Sequence, residues 1–95
     1  MIDRLALMNP TLALYGMRAR AGFAAKRPDV VVESVSSYAR LAAGMARAGI
    51  VSNDALRQDG KALGGILDDA SRMPQADAAR IAEVRGELAA LVPGS

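Results

Sequence analysis

Apolar residues recur every three or four positions between Val30 and Ala48, with polar residues between them. At about 100° per residue, this spacing places the apolar side chains on one face of a helix. The apolar face comprises Val31, Val35, Tyr38, Ala42, Met45 and Ala46, and the polar face comprises Glu33, Ser36, Arg40 and Arg47. Asp29, after Pro28, is a suitable N-cap, and Gly49 suits the position just beyond the C-terminus. The pattern predicts an amphipathic helix from Val30 to Ala48.

A second helical run is predicted from a cap at Ser52 or Asn53 to about Arg72, before Pro74. Its inward positions are Leu56, Leu63, Ile66, Leu67 and Ala70, and its outward positions are Arg57, Lys61, Asp68 and Arg72. Asp68 and Arg72 have the i,i+4 spacing of an ion pair. Three glycines, at positions 60, 64 and 65, interrupt the run. Each costs about 1 kcal/mol relative to alanine in a helix, so we expect either close contact with another helix or a hinge.

The last predicted helix begins after a cap at Asp77 and runs to about Val92, where proline and glycine follow. Its apolar positions repeat at helical spacing, and charged residues occupy the opposite side. The inward set is Ile81, Val84, Leu88 and Leu91, and the outward set is Arg80, Glu83 and Glu87.

The first part of the chain predicts a helix of a different kind, beginning at Pro10 with Asn9 as its cap. One apolar stripe contains Leu12, Gly16, Ala19 and Phe23, and a second, almost opposite, contains Leu14, Met17, Ala21 and Ala25. A helix that is apolar on two faces must pack between two surfaces. The second surface is either a neighbouring subunit or partner protein, or the segment from Met1 to Leu7. The predicted partner-binding residues are Leu12, Leu14, Met17 and Phe23.

These elements predict an all-α protein with a three-helix bundle or helical-hairpin core and an additional basic N-terminal helix. We expect residues 1–28 to form the basic, two-faced helical segment and residues 29–95 to form the bundle. The longest uncharged runs are much shorter than the roughly 18 to 20 apolar residues of a membrane-spanning helix. We therefore expect no membrane span and a cytoplasmic location.

The 95-residue chain contains neither cysteine nor histidine. Their absence removes the usual transition-metal ligands, the Ser/His and Cys/His nucleophilic pairs and the side chain most used for proton transfer near neutrality. The segment DGKALGG is not a phosphate-binding loop, because alanine follows its lysine and no strand precedes it. We predict a protein that is not an enzyme, with no catalytic residues, no metal site and no cofactor.

Charge is unevenly distributed, although the net charge is only +2. Residues 4–28 contain five bases and no acid, whereas residues 53–95 contain seven acids and five bases. A basic segment neutralises phosphates and releases condensed counterions, which gives salt-sensitive binding without sequence preference. The predicted nucleic-acid-binding residues are Arg18, Arg20, Lys26 and Arg27. The same bases are also suited to pairing with the acidic half of a neighbouring subunit, or to a merely solvated face.

The corner from Met45 to Gln58 has some features of a helix-turn-helix. Glycine, an aliphatic residue and capping residues precede a helix that carries Arg57, Gln58 and Lys61 in its first part. The predicted first helix is, however, about five turns long, whereas a DNA-reading motif has a short one. We interpret the segment as a corner between two packed helices.

Two stretches carry a family resemblance. YARLAAGMARAGIV, from Tyr38 to Val51, combines a tyrosine-containing helix with an alanine-x-glycine-aliphatic end, and ALGGILDDASRMPQADAARI, from Ala62 to Ile81, joins a helix to an Ala/Arg-rich helix start through a proline. Together they resemble segments of some phage small terminase subunits. The resemblance implies a non-catalytic, ring-forming subunit that engages DNA and recruits a packaging motor. The N-terminal helix-turn-helix domain usual in that family has no counterpart here, so recognition of a packaging sequence is not implied.

Two functions are compatible with these patterns. The first is a non-catalytic helical assembly protein that self-associates and binds nucleic acid non-specifically through the basic segment, as a phage-type DNA-packaging subunit does. The second is a protein-interaction module, such as an accessory subunit, inhibitor or chaperone, that docks on a larger protein through the two-faced helix. Expected partners are therefore a second copy of the chain, DNA and a larger protein such as a packaging motor.

Overall fold

A computed structural model describes residues 10–91, and within them the chain forms helices connected by short loops, with no strand. The helices are α1 (Pro10–Ala24), α2 (Pro28–Arg47), α3 (Asn53–Ala70) and α4 (Ala78–Ala89). The all-α prediction is confirmed. No helix in this range is both long enough and apolar enough to cross a membrane.

Helix α2 lies at the centre of the fold, because it contacts each of the other three helices. Its predicted apolar face is buried at Val31, Val35, Tyr38 and Ala42, and Met45 and Ala46 are partly buried at its end. Helices α1 and α2 share the most extensive interface, and α3 contacts all three other helices. From α3, α4 and the turn after α4, the core takes Leu56, Leu63, Leu67, Ala70, Ile81, Val84, Leu88 and Leu91, as the spacing predicted.

Gly49 ends α2 and begins the connection to α3. Gly49 has φ of +75°, a left-handed conformation that glycine adopts without strain. Its N–H donates to the Ala46 carbonyl at 3.1 Å, and the Ile50 N–H donates to the Met45 carbonyl at 2.9 Å. This hydrogen-bond pair is the Schellman arrangement that stops a helix. The prediction that Gly49 lies just beyond the helix end is confirmed.

Side-chain caps begin α3 and α4 as predicted. The Ser52 hydroxyl accepts a hydrogen bond from the Ala55 N–H at 3.2 Å, and the Asp77 carboxylate accepts one from the Arg80 N–H at 3.1 Å. The start of α2 differs from the prediction that Asp29 is its cap. The helix already includes Pro28 at its first position, where a missing N–H costs no hydrogen bond, and Asp29 lies in its first turn.

A tight turn joins α1 to α2. Lys26 has φ of +58°, which is unusual for a residue with a side chain. Its N–H donates to the Phe23 carbonyl at 3.0 Å, and the Arg27 N–H donates to the Gly22 carbonyl at 2.8 Å. This end repeats the hydrogen bonding at the end of α2, with lysine where glycine is preferred. Because so short a connection reverses the chain, α1 and α2 lie side by side as an antiparallel pair.

Of the described glycines, only Gly22 lies where α1 and α2 are too close to leave room for a β-carbon. A β-carbon at this position would lie 2.8 Å from Val30 Cγ1 and 3.1 Å from the backbone nitrogen of Val31. Both distances are shorter than normal van der Waals contact. Glycine at position 22 therefore sets the separation of the two helices at their connected ends.

The three glycines of α3 lie within an unbroken helix. The helix continues through Gly60, Gly64 and Gly65. A β-carbon at any of the three would have no neighbour within 4 Å, so they do not allow close packing against another described helix. Of the two expectations, close contact with another described helix is therefore not met, and the hinge stays a prediction.

The predicted Asp68–Arg72 pair is replaced by two others. Arg72 pairs with Asp69 at 3.4 Å, and Asp68 pairs with Arg85 of α4. The prediction was wrong because spacing along one helix takes no account of an arginine on the neighbouring helix. Asp68 thus connects α3 to α4.

Candidate nucleic-acid interface

The four basic residues predicted to bind nucleic acid are all exposed, on α1 and the turn that follows it. Arg18 and Arg20 lie on α1, and Lys26 and Arg27 lie in the connection to α2. Residues two positions apart are separated by about 200° around a helix. Arg18 and Arg20 therefore project from opposite flanks of α1 and do not form one compact cationic patch.

Arg27 is the one of these four bases with an acidic partner among the described residues. Its guanidinium lies 3.4 Å from the Asp29 carboxylate, and both side chains are exposed. The hydrogen bond from Arg27 lowers the pKa of Asp29. Exposed pairs of this kind contribute little to stability and break readily. Arg27 can exchange Asp29 for a phosphate at small cost.

Carboxylates in residues 10–91 all have partners within the chain. Asp59 accepts a hydrogen bond from Tyr38, and Asp77 caps α4. The others form ion pairs: Asp29–Arg27, Glu33–Arg80, Asp54–Arg57, Asp68–Arg85, Asp69–Arg72, Glu83–Arg80 and Glu87–Arg40. A neighbouring subunit that used these acids to bind α1 would have to share or replace existing contacts.

Several bases, in contrast, form no ion pair with another described residue. They are Arg18, Arg20, Lys26, Arg47 and Lys61. Three of the five lie on α1 and its turn. The excess positive charge inferred from the sequence is thus concentrated on this part of the surface, where an external anion has the least competition.

The residues predicted to bind a partner divide between the two sides of α1. Leu12 is buried in the core, and Phe23, on the same stripe, is partly exposed. Leu14 and Met17 lie on the opposite stripe and are 45% and 63% exposed. One apolar face of α1 therefore packs on the protein, and the other is exposed among the described residues. Whether the segment from Met1 to Leu7 covers it lies outside the described residues.

Tyr38 does not offer its ring for stacking on bases. It is buried on α2, and its hydroxyl donates to the Asp59 carboxylate at 2.7 Å. The pKa of Tyr38 is raised far above its ordinary value, mainly because the hydroxyl is buried and secondly because of this hydrogen bond. Tyr15 packs against the core and is partly buried. Spacing alone predicted Tyr38 to be inward, but its partner on α3 had no sequence signal.

The sequence pattern also did not predict a set of polar contacts between α2 and α4, here called the polar seam. Ser36 is almost fully buried, and its hydroxyl donates to Glu87 at 3.2 Å and accepts from Arg80 at 3.4 Å. Arg80 also pairs with Glu33 and Glu83. Its hydrogen bond to Glu83 is the main cause that raises the pKa of Arg80, and its hydrogen bond to Glu33 is the second. Helical spacing predicted that these residues point outward from their own helices. In the structure they connect α2 to α4. Their partners are within the chain, so the seam is not a candidate binding site.

The corner between α2 and α3 joins a long, packed helix to a second packed helix. Helix α2 contains 20 residues, and it lies in the core rather than crossing a surface. Arg57, at the start of α3, pairs with Asp54 at 2.9 Å. The interpretation as a corner between packed helices therefore agrees with the described structure.

Comparison with known proteins gives no match: neither a family model, nor a characterised protein, nor a solved structure matches this chain.

Proposed function

We propose that this protein is a non-catalytic helical binding protein that self-associates and binds nucleic acid without sequence preference. The observation that carries the proposal is the contrast in pairing. Arg18, Arg20 and Lys26 have no ion-pair partner among the described residues, while every described carboxylate has either an ion-pair or a hydrogen-bond partner. Phosphates are the anions that such a surface binds through counterion release.

The resemblance to phage small terminase subunits favours double-stranded DNA as this nucleic acid and DNA packaging as the process. Arg18 and Arg20 lie on opposite flanks of a helix that is about 10 to 12 Å wide with its side chains. That width is close to the roughly 12 Å of the major groove of DNA. The two arginines are therefore spaced to contact phosphates on its two sides, without reading base edges.

Binding to DNA tests this proposal through two variants with the same change in net charge. Arg18→Glu with Arg20→Glu removes the flanking cations of α1. Arg47→Glu with Lys61→Glu reverses two bases that are also without an ion pair in residues 10–91 but lie on α2 and α3. In fluorescence anisotropy with a labelled duplex of about 30 base pairs, the first variant should lose at least about tenfold in affinity and the second should lose less. Equal losses would show that only net charge matters and would contradict the proposed surface.

Self-association belongs to the proposal because the core is small and rich in alanine, so that burial against a second copy adds stability. Light scattering on the same two variants measures it. If the bases of α1 pair with the acids of a neighbour, the Arg18/Arg20 variant loses its oligomer. In that case the assignment to nucleic acid is wrong even if DNA affinity also falls.

A further inference from the structure

The outward side of α1 carries an apolar ridge that phosphate binding does not use. The ridge consists of Leu14, Met17 and Ala21, which lie within about 60° of one another around the helix. Its two large side chains are substantially exposed, and Met17 is the most exposed of the large apolar residues in the described structure. The ridge therefore calls for an apolar environment that DNA does not provide.

The cations beside the ridge restrict what can cover it. On a helical projection Arg18 lies next to Leu14, and Arg20 lies next to Met17 on the other flank. Residues 10–24 contain no acid. A second copy docking through its own α1 would bring together four arginines without a counter-charge, which opposes that contact. A binding partner from outside the chain must combine an apolar interior with negative charge on both sides.

An anionic lipid bilayer has this combination over its whole surface. A helix with an apolar face and basic flanks lies in the plane of the interface, with its apolar side chains below the headgroups. Long arginine side chains then extend upward to the lipid phosphates. A protein groove would need carboxylates placed on both rims of an apolar cleft, whereas headgroups rearrange around the helix. The convex shape of an exposed helix also suits a deformable surface.

We propose that α1 docks in the interface of anionic membranes, with Leu14 and Met17 inserted and with Arg18 and Arg20 on headgroup phosphates. This is a second binding activity of the chain and does not rest on nucleic-acid binding. It needs no membrane-spanning helix, because α1 lies parallel to the bilayer. The rest of the bundle stays in water, attached through the α1–α2 interface.

Flotation with vesicles tests the proposal on the full chain. The probe is a vesicle of about 30 mol% phosphatidylserine in phosphatidylcholine, with pure phosphatidylcholine as the neutral comparison. Wild type should float with the anionic vesicles only, and less at high salt. Leu14→Ser and Met17→Ser should each weaken partitioning about tenfold, since each removes inserted apolar surface. Arg18→Glu with Arg20→Glu should weaken it by at least about 30-fold.

A matched control separates insertion from a general loss of apolar surface. Ile50, in the α2–α3 connection, is 46% exposed, almost the same as Leu14 at 45%. Ile50→Ser should leave flotation unchanged. Circular dichroism on each variant verifies that it is folded, and α1 should tolerate serine at positions that face solvent.

The outcomes also separate this inference from the proposed function. Leu14→Ser and Met17→Ser should lower DNA affinity much less than vesicle binding, whereas the double arginine variant should lose both activities. Failure of wild type to float with anionic vesicles overturns the membrane inference and leaves DNA binding untouched. Flotation that is insensitive to Leu14→Ser and Met17→Ser overturns it too, because binding is then electrostatic only. An oligomer that Met17→Ser dissociates, with no vesicle binding, assigns the ridge to a protein contact instead.

Discussion

Replacement of Gly22 by alanine tests how closely α1 packs against α2. Glycine is normally a weak residue in a helix, and alanine should raise the free energy of unfolding by up to about 1 kcal/mol. At this position the new β-carbon would lie 2.8 Å from Val30 Cγ1, 2.9 Å from Val30 Cβ and 3.1 Å from the Val31 nitrogen. Valine has essentially one rotamer in a helix, and a backbone nitrogen cannot turn aside. The helices must therefore separate.

Overpacking of this kind costs about 1 to 3 kcal/mol. After subtraction of the helix-propensity gain of up to about 1 kcal/mol, Gly22→Ala should lower the free energy of unfolding by about 1 kcal/mol. Since a domain of this size loses roughly 4 to 8 °C in Tm per kcal/mol, thermal unfolding followed by circular dichroism resolves the change.

Gly16→Ala is the matched control on the same helix. A β-carbon at Gly16 has no neighbour within 4 Å, so this variant should be stabilised by up to about 1 kcal/mol. The two substitutions are chemically identical and should shift Tm in opposite directions. If Gly22→Ala raised Tm as much as Gly16→Ala, the close approach of α1 to α2 would be refuted.

Three further substitutions have defined expected outcomes. Lys26→Gly should raise the free energy of unfolding by about 0.5 to 1 kcal/mol in urea titrations, because glycine relieves the left-handed backbone at φ +58°; a loss would indicate another conformation there. Gly60→Ala should raise Tm, because nothing in the described structure lies within 4 Å of the new methyl group; a lower Tm would show that another molecule packs there. Tyr38→Phe should remove part of the loss of stability above pH 10. The pKa of Tyr38 is raised above its ordinary value of 10.0 in the folded protein, so the unfolded chain releases this proton first. Wild-type stability should therefore be intact below pH 10 and then fall by about 1.4 kcal/mol per pH unit more steeply than that of the variant. Parallel pH profiles for the two proteins would contradict the burial of the hydroxyl.

Features that depend on local chain chemistry could be predicted from the sequence. The burial pattern of α2 follows from a repeat of apolar residues at helical spacing, and Gly49, Ser52 and Asp77 mark helix ends by their own hydrogen bonding or backbone freedom. The two apolar stripes of α1 follow in the same way. Each of these inferences needs only the residues of one helix and its ends.

Features that depend on contacts between helices could not be predicted. Asp68 was assigned to Arg72 because spacing considers one helix at a time, whereas its partner Arg85 lies on α4. Gly22 carries the close approach that was sought at the glycines of α3, since sequence does not show which helix faces lie against each other. At the candidate interface, the charge pattern of the sequence was enough to identify the basic residues. Which of these bases form ion pairs could be seen only from the positions of the described carboxylates.

The most direct test of the central claim is the salt dependence of DNA binding by wild type, the Arg18→Glu/Arg20→Glu variant and the Arg47→Glu/Lys61→Glu control. Each phosphate contact contributes about 0.9 to the slope of log affinity against log salt concentration. We expect the slope to fall by about 2 in the first variant and to stay close to wild type in the control. Equal slopes in all three proteins would contradict it, because Arg18 and Arg20 would then make no phosphate contact.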